Sequence, residues 1–253
     1  MGGKQQLVRY IVPILNKYIQ ENNIENFYDV FCGGCNIVSN IECENLYAND
    51  LSPTLIALHE MAQKDYDLIN TNSSREQWDR CYSEYKDLKK SNFKKEPSIP
   101  LAEIGAIEWF GGFSGKGFVG GYGVSSKGRN QFMERYNNLK KQSETLTYKK
   151  INFSCGDYRD LEFKPNSLIY CDAPYKDSES YGINSKFNFA EYYKWLTKIA
   201  ESYPIFISEQ VLPNTVPASV IWEKEVRRTI KVSDRNIKKI DKLFFLDLRR
   251  SSN

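Results

Sequence analysis

Asp172 follows an apolar run and precedes a proline and an aromatic residue, in the stretch Asn166-Ser-Leu-Ile-Tyr-Cys-Asp-Ala-Pro-Tyr175. Ser167 to Cys171 has the length and apolar content of a buried parallel strand. Pro174, which lacks an N–H and has a fixed φ, stops strand pairing. Asp172, Ala173 and Tyr175 are therefore expected at the carboxyl end of a strand, where open α/β sheets place their ligands. A carboxylate, a backbone carbonyl and an aromatic face in one corner can hold a flat ring by its exocyclic amino group. Taken alone, the tetrapeptide is also an ordinary turn.

A second group of residues narrows the reading. Asn26-Phe-Tyr-Asp-Val-Phe-Cys-Gly-Gly-Cys-Asn36 reads as a strand, a glycine turn and then a helix. Gly33 and Gly34 permit a tight turn and close backbone approach to a ligand, and a helix capped by Asn36 would favour an anionic group. Asn45-Leu-Tyr-Ala-Asn-Asp50 is a second short strand ending in an acid. Asp50 lies 17 residues beyond Gly33, near the spacing at which an acid grips ribose hydroxyls in a nucleotide-binding βαβ unit. The three-glycine dinucleotide fingerprint is absent, which favours a different adenosine-containing cofactor over NAD.

With Gly2-Gly-Lys4, Phe31-Cys-Gly-Gly-Cys35, Asn49-Asp50 and Asp172-Ala-Pro-Tyr175 in this order, the chain resembles the S-adenosylmethionine-dependent DNA adenine methyltransferases of bacteria and phages. The resemblance covers nearly the whole chain. It implies that Lys4 pairs with the cofactor's carboxylate, and that Phe31 and Gly33 border its methionine end. It further implies that Asp50 holds the ribose, that Asp157 and Tyr158 bracket the adenine, and that Asp172 touches cofactor as well as substrate. Asp172, Ala173, Pro174 and Tyr175 stand where the family's Asp-Pro-Pro-Tyr motif holds the target base. The family's usual loop is Phe-x-Gly-x-Gly, whereas position 35 here is Cys, and Ala173 replaces the first proline. The second motif position works through its carbonyl, which Ala173 retains.

The elements expected to position these groups form an α/β alternation with one interruption. A helix is expected over Gln5 to Gln20, with Pro13 as a kink point, and strands near Phe27 to Phe31 and Leu46 to Asn49. From Pro53 to Leu146 the strand signal disappears, and helical patterns occupy Thr54 to Ile69, Ser74 to Lys90 and Gln131 to Leu146. Strands resume at Lys150 to Ser154, Ser167 to Cys171 and Ile205 to Ser208. Val220 to Val226 and Leu243 to Leu248 close the sheet, one of them antiparallel. The fold expected is α/β: a Rossmann-like methyltransferase sheet, residues 1–57 and 146–253, with a mostly helical target-recognition insert over 58–145.

Trp109 to Gly123 holds seven of the chain's fifteen glycines. Gly117 after Gly115-Lys116 breaks the phosphate-loop pattern. A flexible loop carrying Phe113, Phe118 and Tyr122 suits a groove or a vacated base position; a glycine-rich hairpin folded on the insert's own helices is the alternative. The resemblance adds Lys116, Lys127 and Arg129 as phosphate or base contacts, with double-stranded DNA as partner.

Composition agrees with a water-soluble enzyme of 253 residues and net charge +3. No apolar run approaches the length of a membrane span, and the first residues lack a signal-peptide core. The expected location is the cytoplasm of a bacterium or of a phage-infected host, with a cognate restriction nuclease as candidate partner. Six cysteines without a secretory signal read as thiols. Cys32 and Cys35 have metal-pair spacing, but His59 is the sole histidine and no second such pair exists, so no metal is expected. Local basic runs, Lys224 to Lys242 among them, suit a phosphate-tracking face if they converge. Two rival readings remain: a non-catalytic DNA-binding protein that keeps the fold, and an amino-methyltransferase for cytosine or RNA.

Overall fold

The computed structural model describes residues 6–65, 74–123, 125–126, 129–174, 187–229 and 236–249. Its centre is a seven-stranded sheet built from β1 (Asn26–Asp29), β2 (Asn45–Asp50), β5 (Asn152–Cys155), β6 (Ser167–Cys171), β7 (Ile205–Glu209), β8 (Ser219–Thr229) and β9 (Asn236–Leu246). The spatial order is β5-β2-β1-β6-β7-β9-β8. The first five of these strands are mutually parallel, β9 runs antiparallel to β7, and β8 antiparallel to β9. The order reverses at β1, which pairs with β2 on one side and β6 on the other. That switch point opens a crevice at the carboxyl ends of β1 and β6.

Alternation along the strands builds two cores. Phe27, Leu46, Ala48, Leu168, Tyr170 and Phe206 face one layer, while Tyr28, Val30, Ile169, Cys171, Ile205 and Ile207 face the other. Every residue of β6 and β7 is buried, as expected for strands covered on both faces. The first layer includes α1 (Val8–Glu21), whose Ile11, Val12, Leu15 and Ile19 form one apolar stripe. The second is covered by α6 (Phe189–Ala200), which begins where the Asn188 side chain accepts from the N–H groups of Ala190 and Glu191.

Between β2 and β5 the chain adds α2 (Pro53–Lys64), α3 (Arg75–Lys90), α4 (Leu101–Gly111), the two-residue strands β3 (Ser125–Ser126) and β4 (Arg129–Asn130), and α5 (Gln131–Lys149). Ser52 caps α2 and Pro53 occupies its first turn; Ser74 and Asn130 cap α3 and α5. A domain boundary at residue 58 falls within α2. Trp78, Leu88, Ile104, Phe110 and Phe132 join the same hydrophobic cluster as Leu15 and Phe27, so this region shares its core with one face of the sheet.

α2 and α4 meet backbone to backbone. A Cβ on Gly105 would lie 2.1 Å from the Thr54 carbonyl oxygen, so only glycine fits. Among the described residues, no helix is long and apolar enough to cross a membrane.

Two expectations differ from what the fold contains. No α-helix follows the glycine turn: only a 3₁₀ turn, Val38–Asn40, forms there, and Asn36 does not cap it. Side chains also engage this turn: Ser39 Oγ donates to Cys35 O at 2.6 Å, beside the Ser39 N–H at 3.2 Å, and Gln142 Nε2 donates to Gly34 O and Cys35 O at 3.0 Å each. The helix-dipole argument for an anion at this point therefore falls. The glycine-rich stretch, in turn, is a compact hairpin on the insert's helices rather than a free loop.

Candidate active site

The crevice is bordered by the turn after β1, the corner after β2 and the corner after β6. Gly33 and Cys35 both adopt left-handed backbone, with φ of 47° and 56°. The Cys that replaces the family's second loop glycine thus occupies a conformation that costs a side-chain-bearing residue about 1–2 kcal/mol. Burial offsets that cost, because Cys35 and Cys32 are both packed into the core beneath the turn. Burial acts to raise the Cys35 thiol's pKa, but hydrogen bonding with Cys32 and the nearby His59 ring outweigh it and lower the pKa below that of an ordinary thiol. Among the described residues no group of His, Cys, Asp and Glu is arranged to hold a metal ion.

Asp50 closes the turn from β2. Its Oδ2 accepts from Gly33 N at 3.1 Å and its Oδ1 from Ser52 N at 2.9 Å. A carboxylate has about four acceptor positions, so acceptor capacity remains for a ligand's hydroxyl. Burial raises the Asp50 pKa, while the N–H groups of Ser52 and Gly33 oppose the rise.

His59 lies on α2 and is fully buried. Its Nε2 is 2.8 Å from the Gly33 carbonyl and its ring stacks on Phe153 at 5.8 Å. The turn is therefore held through Gly33 N by Asp50 and through Gly33 O by His59.

Three further residues set this geometry, and of them only Asn49 belongs to the motifs that carry the family resemblance. Buried Asn49 donates to Val30 O at 3.2 Å and Gly156 O at 3.0 Å, and accepts from Ser154 Oγ at 3.0 Å, which locks the carboxyl ends of β1, β2 and β5 together. Gln142 reaches from α5 to the glycine turn. Asp29, the last residue of β1, is fully buried, and its Oδ1 has no hydrogen-bond partner among the described residues. Burial, with Cys35 and Asp172 adding to it, raises the Asp29 pKa well above the usual carboxylate range. Only a strand-end acid, visible in Tyr28-Asp29-Val30, could have pointed to it.

Phe31 and Tyr158 come together, with ring centroids 5.4 Å apart, and both border Phe187 and Tyr192. They form an aromatic wall beside the crevice. Asp157, expected with Tyr158 to bracket the adenine, is engaged by a neighbouring arginine. Its carboxylate forms a two-pronged ion pair with Arg159, at 2.9 and 2.8 Å, and caps the turn at Arg159 N. That pairing lowers its pKa. Arg159 also bonds Glu191 at 2.7 Å, which ties the corner after β5 to α6.

Asp172 and Pro174 are half-buried and Ala173 is buried at the end of β6. The last paired residue of β6 is Cys171, opposite Ile207, so the corner begins where pairing ends. Tyr175, Lys4 and Lys127 lie outside the described residues.

In the insert, Phe113 is 55% exposed and Lys116 and Tyr122 are half-buried; Arg129 lies in β4. Phe118 departs from its expected role as a groove-reaching side chain. It is 5% exposed and packs on Trp78, Tyr82 and Tyr85 at 4.8 to 5.2 Å. Hydrogen bonds between Phe113 N and Gly121 O and between Gly123 N and Gly111 O, both 2.8 Å, fold the stretch back on itself. Arg135 Nη1 donates to Phe110 O and Gly112 O at 2.8 and 2.7 Å, fixing the end of α4 where this hairpin begins.

Comparison with known proteins identifies a family and relatives. The family described as D12 class N6 adenine-specific DNA methyltransferase matches residues 1–205. The type II methyltransferase M.MjaIII of Methanocaldococcus jannaschii is 25% identical over 215 residues, covering 77% of this chain and 72% of that protein. M.FokI of Planomicrobium okeanokoites, also a type II methyltransferase, is 25% identical over 198 residues, which span 69% of this chain but 28% of that protein. Among solved structures, the rRNA methyltransferase aviRa of Streptomyces viridochromogenes is similar over 98% of this chain and 86% of its own. Its TM-score of 0.47 at 10% identity is too low to bear on function.

Proposed function

The chain belongs to the D12 class N6 adenine-specific DNA methyltransferases, and from that premise we propose that Asp172, Ala173 and Tyr175 position the exocyclic amino group of an adenine flipped out of duplex DNA. The observation that carries this reading is the placement of Asp172 at the carboxyl end of β6, next to β1 at the sheet's switch point. The adenine amino lone pair is delocalised into the ring, which makes it a poor nucleophile. Asp172 and the Ala173 carbonyl, each accepting one amino hydrogen, localise that lone pair, and Tyr175 stacks on the ring to fix its orientation. Extruding the base costs a few kcal/mol, which contacts from the insert must offset.

The residues around the crevice fit S-adenosylmethionine, whose sulfonium supplies a methyl group already activated for transfer. Asp50 has acceptor capacity left for ribose hydroxyls. The unpartnered Oδ1 of Asp29 offers an acceptor for an ammonium group, and Lys4 a cation for a carboxylate. Phe31 and Tyr158 offer an apolar wall for the adenine. The ion-paired Asp157 supports that wall by fixing the corner after β5.

Residues 58–145 serve as the target-recognition region, with Phe113, Lys116, Tyr122, Lys127 and Arg129 as its DNA contacts and Phe118 as the core that supports them. The names of both relatives motivate a type II assignment, with a restriction nuclease of the same recognition sequence as companion. Modification-sensitive sequencing of DNA from cells expressing the wild-type or the Asp172→Ala protein tests the reading. Methylated adenine at one sequence motif with the wild type and none with the variant is the expected result. Equal modification by both would remove Asp172 from the chemistry.

A further inference from the structure

We propose that the paired strands leaving the carboxyl edge of the sheet, residues 224–229 of β8 and 236–242 of β9, form a second DNA-contacting element that follows the phosphate backbone on the side of the catalytic corner away from the insert. The proposal rests on the reading of duplex DNA as substrate.

Topology sets the direction of these strands. β7 is parallel to β6, so Glu209 at its end marks the same edge as Asp172. Pairing of β7 with β9 stops at Glu209↔Lys242, yet β8 and β9 remain paired as far as Thr229↔Asn236. β8 is antiparallel to β9, and β9 to β7, so β8 leaves by the active-site edge. Six further residues per strand extend the ribbon by about 20 Å. β9 is two strands from β6, roughly 10 Å at the usual spacing, while the insert connects β2 and β5 on the opposite side of β1. The catalytic corner thus lies between ribbon and insert.

Charge identifies the partner. Residues 224–229 and 236–242 hold six basic residues, Lys224, Arg227, Arg228, Lys238, Lys239 and Lys242, and two acidic ones, Glu225 and Asp241, a net +4, against +3 for the entire chain. The root of the ribbon is anchored internally. Lys224 lies over the Tyr10 ring at 3.9 Å, Tyr10 stacks on Trp222 at 5.5 Å, Lys242 pairs with Glu223 at 3.4 Å, and Asp241 is buried.

The distal four basic residues of the ribbon are Arg227, Arg228, Lys238 and Lys239. Arg227 pairs with Lys238 and Val226 with Lys239 in the backbone register, so basic residues fall on adjacent rungs of the ribbon. A DNA strand presents one phosphate per about 3.4 Å, so 20 Å of ribbon matches roughly six phosphates. Charges on edge strands also deter aggregation, but negative charges would serve that purpose equally well.

The test replaces Arg227, Arg228, Lys238 and Lys239 by Gln and follows binding to a cognate duplex by fluorescence anisotropy between about 50 and 200 mM salt. If each residue makes one phosphate contact, the slope of log affinity against log salt falls by roughly 3.6. S-adenosylmethionine affinity stays unchanged. The charge-conserving variant, with Arg227→Lys, Arg228→Lys, Lys238→Arg and Lys239→Arg, keeps the wild-type slope. Should the fourfold Gln variant fold poorly, Arg227→Gln with Lys238→Gln carries the same test, with a slope change of about 1.8. A folded Gln variant with wild-type slope and affinity overturns the proposal, as does loss of binding to anionic lipid vesicles with duplex binding intact. Duplex binding and methylation by the wild-type and Asp172→Ala proteins report separately on the substrate and catalytic readings.

Discussion

The backbone N–H of Gly33 donates to Asp50 Oδ2 at 3.1 Å, joining the turn after β1 to the end of β2. With Ser52 N bonded to the other carboxylate oxygen, Asp50 fixes two corners of the crevice before any ligand arrives. An acid at a strand end is thus both a brace for the glycine turn and a ligand acceptor. The two roles respond differently to substitution.

Asp50→Ala removes both. S-adenosylmethionine binding is expected to weaken by about 1.5–3 kcal/mol, the range for hydrogen bonds to a charged group. Folding stability should fall by about 1–3 kcal/mol as the N–H groups of Gly33 and Ser52 lose their acceptor. Asp50→Asn keeps one acceptor oxygen and should recover part of the stability but little of the affinity. Titration calorimetry and urea unfolding separate the two effects. Unchanged cofactor affinity in a folded Ala variant would remove Asp50 from the ligand site.

Glu108 gives the fold a pH dependence. On α4 it is buried and accepts from the Thr54 hydroxyl at 2.6 Å. Burial pushes its pKa from an ordinary 4.5 up to about 7, with Thr54 and Lys89 opposing the rise and Asp50 adding to it. Because the folded state holds the proton more tightly, this group's contribution is fully present below pH 4.5 and is lost as pH rises through 7. Glu108→Gln is neutral throughout and keeps an oxygen for Thr54. It should therefore match wild type near pH 4.5 and exceed it at pH 8 by about 1–3 kcal/mol. Denaturant unfolding at the two pH values checks this; a wild-type advantage at pH 8 would mean that the ionised form is the better-accommodated one.

What the sequence disclosed follows from how local each signal is. β6 was legible to the residue, because a fully buried parallel strand is a short apolar run and Pro174 ends it. The acid-terminated β2 is only partly buried and was legible as a short strand that ends in Asp50. α4 was missed because Leu101–Gly111 is buried on nearly every side and so shows no amphipathic period. The contacts that fix the turn after Gly34 lie beyond any window of sequence: Gln142 is 108 residues from the carbonyl it engages.

The glycine-rich stretch was read for flexibility, which composition alone suggests. Its glycines instead permit close packing, since a Cβ on Gly112 would lie 2.5 Å from the Gly117 carbonyl oxygen. Asp29 escaped notice because its significance lies in burial and an unpartnered oxygen, not in its neighbours along the chain.

The two phenylalanines of that stretch should separate cleanly. Phe118→Ala removes a buried ring from the Trp78–Tyr82–Tyr85 cluster and should cost about 3–5 kcal/mol of stability. Phe113→Ala, at a 55% exposed position, should change stability by less than about 0.5 kcal/mol while weakening duplex binding by about 1–3 kcal/mol if the ring stacks on a base. Thermal unfolding and duplex titration on both variants decide it. Normal duplex affinity for Phe113→Ala would leave this ring without a DNA role.

Asp172→Asn tests the catalytic corner with a readout beyond turnover. The amide retains one acceptor oxygen but presents an NH₂ in place of the other, so it cannot hold the substrate amino group as a carboxylate does. Methyl transfer in a single turnover should fall by at least about 100-fold, on the order of losing one preorganised transition-state contact. Cofactor affinity should change little, because Asp50, Asp29 and the aromatic wall remain. The independent readout is Asp29. Its carboxyl is held well above the usual range by burial first, then by Cys35 and Asp172. Removing the Asp172 charge should therefore lower the Asp29 pKa, which is measurable by carboxyl NMR titration and which a defect confined to turnover would not produce. A variant that transfers methyl at the wild-type rate would exclude Asp172 from catalysis, and an unmoved Asp29 titration would show that the two acids do not share one field.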